Sequence, residues 1–196
     1  MIYKVKRTDE VLLQNVDFSV VEPTYLVSND NKSEVLYKTA FRLLYNDDGI
    51  FFKFDVEDDH INCTMSGYNE PIYDEETVEL FISSTGQLTN YLELEWNAIG
   101  GVFCANVEND LCGHTKLDFV EENILKTEIF AEKFGYSIRG FIPKSLFANN
   151  KFVGEWKFNA YRIKRDEKKN MLLYAYSPTI EPNFHKPNMF ATLIFE

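Results

Sequence analysis

The chain has 196 residues, 45% of them hydrophobic, which is the length of a single domain with enough apolar material for a sizeable core and argues against disorder. A net charge of -11 sets it against nucleic-acid phosphates and anionic membrane surfaces. A neutral polyol is indifferent to that charge, and carboxylates are good acceptors for its hydroxyls.

In chain order, Met1–Glu10 carries Lys4, Lys6 and Arg7 with no apolar run behind them, so no secretory signal is read. No stretch approaches the ~18 apolar residues of a membrane helix, and both observations point to the cytoplasm. Leu36 to Tyr45 is an apolar-rich run, followed by the turn Asn46-Asp47-Asp48-Gly49, where Asp-Gly tolerates positive φ. Ile50 to Glu57 alternates, with Phe52, Phe54 and Val56 on one side and Lys53, Asp55 and Glu57 on the other, as a half-buried strand requires. Val78–Ile82 is a short strand. Asn90 to Ala98 alternates more sharply, with Leu92, Leu94 and Trp96 on one face and Tyr91, Glu93, Glu95 and Asn97 on the other. Gly100-Gly101 makes a turn and Val102 to Val107 returns.

Ile124 to Ala131 pairs with Tyr136 to Ile142 around Glu132–Gly135, and Pro143–Phe147 is placed to start one short helix. Val153 to Lys164 and Met171 to Ser177 form a hairpin, and Phe190 to Phe195 closes the chain. Frequent Phe (17) and Tyr (11) support strands throughout. Many short strands with turns at this spacing predict an all-β sandwich or barrel with at most one or two short helices. Trp96 and Trp156 share their faces with apolar residues and are expected to be buried. Cys63, Cys104 and Cys112 lack zinc-site spacing and read as buried free thiols, a Cys104–Cys112 disulfide across a hairpin being the alternative.

Four segments carry a resemblance: Pro71–Phe81, Tyr91–Gly100, Trp156–Arg162 and Phe184–Phe190. In this order, over about Tyr37 to Glu196, the chain resembles the family 9 carbohydrate-binding modules and their relatives in the DOMON-like group. The resemblance implies an antiparallel β-sandwich, jelly-roll or immunoglobulin-like, that binds a mono- or oligosaccharide without hydrolysing it. In that family two aromatics clamp a sugar, and carboxylates and amides on the adjoining strands bond its hydroxyls. Tyr73 and Phe184 fall at the clamp positions, where the best-known members have tryptophan. Glu93 stands where some members carry a basic residue. Family members also bind calcium, so structural Ca2+ enters as an expected ion, with no complete ligand set matched.

The ligand-binding set is Tyr73, Glu79, Glu95, Asn97, Asn159, Tyr161, Phe184 and His185. Each has a plainer reading. Loop aromatics often bury as anchors, alternation alone predicts a polar outer sheet face, and a loop histidine such as His185 is commonly bonded to backbone. Haem ligation by His185, Met65 or Met189 has no supporting spacing. Asp55-Val56-Glu57-Asp58-Asp59 offers oxygen ligands to calcium or is an acidic strand end. Paired carboxylates (Glu79, Glu93, Glu95) raise a glycoside-active enzyme as an alternative, and a sugar-site-less protein-interaction domain is another. No Gly-rich phosphate loop or HExxH motif is present.

Overall fold

The computed structural model describes all 196 residues, 47% of them in strands, and its only helical pieces are five three-residue 3-10 turns. In chain order the strands are β1 (Ile2–Arg7), β2 (Thr24–Tyr25), β3 (Val27–Ser28), β4 (Thr39–Asn46), β5 (Gly49–Glu57), β6 (Thr77–Ser83) and β7 (Asn90–Trp96). They continue with β8 (Val102–Asn109), β9 (Thr115–Phe119), β10 (Lys126–Glu132), β11 (Gly135–Pro143), β12 (Glu155–Arg165), β13 (Met171–Ala175) and β14 (Ala191–Phe195).

The main path runs β10-β11-β5-β4-β1-β14-β12-β6-β7-β8-β9. It is one curled surface that folds over as a sandwich, with β1 as the seam. Ile2–Val5 pair with Thr192–Phe195 on one side, and Lys6 and Arg7 pair with Leu44 and Tyr45 on the other. Both pairings are parallel, so the sheet is mixed where a wholly antiparallel one was expected. Hairpin turns between sequence neighbours announce antiparallel pairs, whereas a parallel pair joins distant segments and leaves no local mark. For the same reason β1 was not foreseen, although Tyr3 and Val5 alternate inward. β9, mostly exposed, also lacks an apolar signal. At Pro143–Phe147 the expected helix is a single 3-10 turn, Lys144–Leu146.

The alternating strands each send one row inward. Phe52, Phe54 and Val56 of β5, Leu92, Leu94 and Trp96 of β7, and Trp156, Phe158 and Ala160 of β12 join a core of 29 buried residues. Both tryptophans are fully buried, and Trp96 packs on Phe52 at 4.1 Å between ring centroids. The turn after β4 is set by Asn46, whose Oδ1 accepts from the Asp48 and Gly49 amides. Gly49 is required there for space and not for positive φ, since a Cβ would lie 2.2 Å from the Ile142 carbonyl. The three cysteines are free, so no Cys104–Cys112 bridge forms. Cys104 is buried against the core, while Cys112 is exposed and only Cys63 is half-buried. No helix is long and apolar enough to cross a membrane.

Candidate functional site

The outward rows of β6, β7 and β12 build one face. Register places Tyr161, Glu79, Glu95 and Phe103 side by side across β12, β6, β7 and β8. The next row is Asn159, Phe81, Glu93 and Ala105. Three carboxyl groups therefore converge, with Glu79 directly opposite Glu95 and Glu93 two residues along the same strand. Directly opposed side chains have Cβ atoms only ~5 Å apart.

This face is not solvated. Glu79, Glu93 and Glu95 are each less than 5% exposed. Two apolar groups flank them. On one side the segment 177–190 folds over the sheet, and Phe184 and Phe190 join Phe81, Tyr91, Val107, Tyr161, Ile163 and Ala175. On the other, Ile72 packs with Phe103 and Ala105, and the half-exposed Tyr73 ring stands edge-on to Phe103 at 5.5 Å.

Burial pushes all three acids upward, because no solvent stabilises their charge, and neighbouring acids add to the effect at Glu79 and Glu95. Glu79 rises to about 8 and Glu93 to about 7, while Glu95 rises well above the usual carboxylate range, with Glu79 and Glu93 adding to the effect of burial. Thr77 donates to Glu79 Oε1 at 2.7 Å. A proton shared between Glu93 and Glu95 links the two carboxyls, and neither Glu93 Oε2 nor Glu95 Oε2 receives a donor from any other residue. His185 Nε2 lies 3.7 Å from Glu93 Oε1. Burial lowers that imidazole to about 4, so a neutral ring faces the carboxyl. Asn109 donates to the Tyr91 hydroxyl (3.3 Å), which in turn meets His185 Nδ1 at 2.7 Å. This chain assigns the ring hydrogen to Nε2, the atom facing Glu93.

The predicted residues divide into three groups. Glu79, Glu95 and Tyr161 share one row, and His185 and Tyr73 stand at its borders. Phe184 is on the same face, but it is buried: its ring stacks on Tyr161 at 4.0 Å and 13°, and the Tyr161 hydroxyl donates to its carbonyl at 3.1 Å. It is an anchor of the covering segment, the plainer reading of a loop aromatic, and not the exposed wall the resemblance implied. Asn159 and Asn97 are spent on backbone. Asn159 Nδ2 donates to the Ser177 carbonyl and its Oδ1 accepts from the Ser177 amide, tying the covering segment to β12. Asn97 Nδ2 donates to the Met65 carbonyl and Oδ1 accepts from Ile99 and Gly101. Gly101 is needed beneath it, since a Cβ would sit 2.7 Å from Asn97 Nδ2. Glu93 and Tyr91 complete the face but were absent from the predicted set. The alternation of β7 had placed both beside Glu95, and that signal was sufficient.

A second buried charge cluster lies on the opposite side of β12, between the sheets. Asp58, from the acidic run after β5, receives Arg162 on Oδ2 at 2.7 Å and Lys164 on Oδ1 at 2.8 Å. Lys164 Nζ also donates to the His60 carbonyl (2.6 Å) and Glu76 Oε1 (3.1 Å). The acidic run is a strand end, with Glu57 and Asp59 exposed and, of its acids, Asp58 alone buried. Its buried carboxylate is paired, and the position a cation would take among Asp58, Glu76 and the His60 carbonyl is filled by the ammonium. No group of three or more His, Cys, Asp or Glu side chains is arranged to hold a metal. The donors at this run do not fit calcium.

Separately, a cleft of about 360 Å³ lies at the far end of β6–β8, lined by Ser84, Asn90, Asn106 and Phe147 among others. It takes in none of the predicted residues.

The chain matches the family described as "Carbohydrate-binding family 9" over residues 7–195, and it belongs to that family. A search of curated proteins gave no match. Among solved structures, a Bacteroides uniformis protein described as carbohydrate-binding is 22% identical with a TM-score of 0.81, covering 100% of this chain and 99% of that one. A family 9 module of Caldicellulosiruptor kristjanssonii in complex with cellotriose is 14% identical, TM-score 0.73, covering 100% and 94%. A second structure described as a family 9 module from that organism, in complex with glucose, is 15% identical, TM-score 0.67, covering 100% and 96%. At these identities the likeness establishes the fold.

Proposed function

We propose that this family 9 module holds a mono- or oligosaccharide at the Glu79–Glu93–Glu95 face and does not hydrolyse it. The observation that carries the reading is the pair of orphaned oxygens, Glu93 Oε2 and Glu95 Oε2, on a buried face bordered by aromatic rings. A buried acceptor without a donor is costly in the free protein, and ligand hydroxyls supply donors. Tyr73, the most exposed ring at the border, is the wall against which a pyranose face packs. His185 Nε2–H adds a donor at the opposite border.

Phe184, Tyr161 and Asn159 act one step back, by fixing the covering segment. A binding role is favoured over catalysis by placement. Glycoside hydrolysis needs an acid and a second carboxylate flanking the scissile bond. Here the carboxyls are neighbours on one sheet face and approach a ligand from one side. The bound cellotriose and glucose of the Caldicellulosiruptor structures make β-glucosides the first ligands to try. We further infer that the acidic run needs no calcium, because Lys164 already supplies its cation.

The test is a glycan array followed by calorimetric titration of the best hit with wild type and Glu93→Gln. Loss of affinity in a variant that melts like wild type supports the face as the site. Unchanged affinity places the sugar elsewhere, and release of reducing sugar on incubation would replace binding by catalysis.

A further inference from the structure

The chain compensates buried acids on one side of β12 and leaves them uncompensated on the other. Asp58 and Glu76 have Arg162 and Lys164 within hydrogen-bond distance. Glu79, Glu93 and Glu95 have no lysine or arginine partner at all. Their one basic neighbour is His185, which burial keeps neutral. The other groups facing them are Tyr91 and Tyr161 from the sheet and Tyr73 with Asp74 from the border turn, all neutral or negative. Arg165, the last residue of the neighbouring β12, donates to the carbonyls of Asp74 and Glu75.

Three acids around two unpartnered oxygens are more than a neutral sugar requires. Hydroxyls are neutral donors and leave these acids protonated, with nothing to stabilise their ionised form. An ammonium brings three donors and the missing charge. From this contrast, and resting on the proposed sugar site, we propose that the ligand is a cationic amino sugar, an unacetylated hexosamine or its oligomer, whose ammonium is received by Glu93 and Glu95 with Glu79 behind them. The upward displacement of these acids in the free protein is consistent with a site awaiting a cation. On binding the carboxyls ionise, so the complex forms with release of protons to solvent.

Titration calorimetry of the whole chain with glucosamine, glucose and N-acetylglucosamine at pH 7, in two buffers of different ionisation enthalpy, tests this. Glucosamine is expected to bind at least about tenfold tighter than glucose, ~1.4 kcal/mol, with proton release. Acetylation is expected to abolish the preference. Glu93→Gln and Glu95→Gln should bring glucosamine down to the affinity of glucose while the melting temperature is held or raised. If glucose or N-acetylglucosamine binds as tightly as glucosamine, or no proton is released, the cationic preference is overturned and the neutral-sugar site stands. If none of the three, nor their oligomers, binds, both this inference and the site itself fail.

Discussion

Two clusters of buried acids, on opposite faces of the same strand, differ in one respect. At Asp58 and Glu76 each charge meets an opposite one: Arg162 is 1% exposed and Lys164 is fully buried, and both are held by carboxylate and carbonyl oxygens. At Glu79, Glu93 and Glu95 no such partner exists, and two oxygens receive no donor from any other residue. The first arrangement is charge-balanced in the free chain, although Glu76 Oε2 has no hydrogen-bond partner, and it ties Asp58 and Glu76 to β12. The second has no opposite charge anywhere in the chain beside it. Charge balance distinguishes the two clusters where burial does not, since the carboxyl groups of both are buried.

The largest expected effect comes from breaking the charge-balanced cluster. Lys164→Met leaves Asp58 and Glu76 facing one another without the ammonium. It should cost about 3–5 kcal/mol in chemical denaturation, the range for removing one partner of a buried pair. If the ammonium stands in for a metal, wild type should melt identically with calcium or chelator, whereas Lys164→Ala should regain part of its loss in millimolar calcium by binding in the native state. A calcium-dependent melting shift in wild type would contradict the first half.

Phe184→Ala comes next. Its ring is buried and stacked on Tyr161, so the loss is one of stability, about 3 kcal/mol by analogy with other buried phenylalanines, and any change in ligand affinity follows from release of the covering segment. Thermal melts alongside titration separate the two. A variant of wild-type stability that no longer binds would return Phe184 to the role of an exposed wall.

The cluster without a counter-charge should behave in the opposite sense. Glu79 and Glu93 keep their protons to about 8 and about 7, above the unfolded carboxyl value. The native state therefore binds more protons than the unfolded chain between that value and about pH 8, and stability falls as pH rises through this window. His185, lowered to about 4, adds stability as pH rises from about 4 to its unfolded value near 6.5, so only the acids act above that point. Between pH 6.5 and 8.5 the unfolding free energy should drop on the order of 1 kcal/mol, and Glu79→Gln should flatten the slope. The smallest effect belongs to Tyr73→Ala. This half-exposed ring should leave the melt unchanged and weaken ligand binding by about 1 kcal/mol.

The sequence by itself determined the strands that alternate. A period of two in β5, β7 and β12 follows from the pleat, which sends successive side chains to opposite faces. It therefore foretold that Trp96 and Trp156 are core residues and that Glu93, Glu95 and Tyr91 lie together. The four-segment resemblance supplied the family. Only the tertiary structure decided what alternation cannot express. β1 joins two sheets through parallel pairs between chain ends, whose partners lie far off in sequence. Asn97 and Asn159 look like sugar-binding amides until their hydrogen bonds are traced to backbone groups of other segments. Phe184 looks exposed until the segment that carries it folds onto Tyr161. Lys164 and Asp58 become partners across 106 residues. A residue type fixes which bonds a side chain can make, but which of them are already made depends on neighbours brought in by the fold.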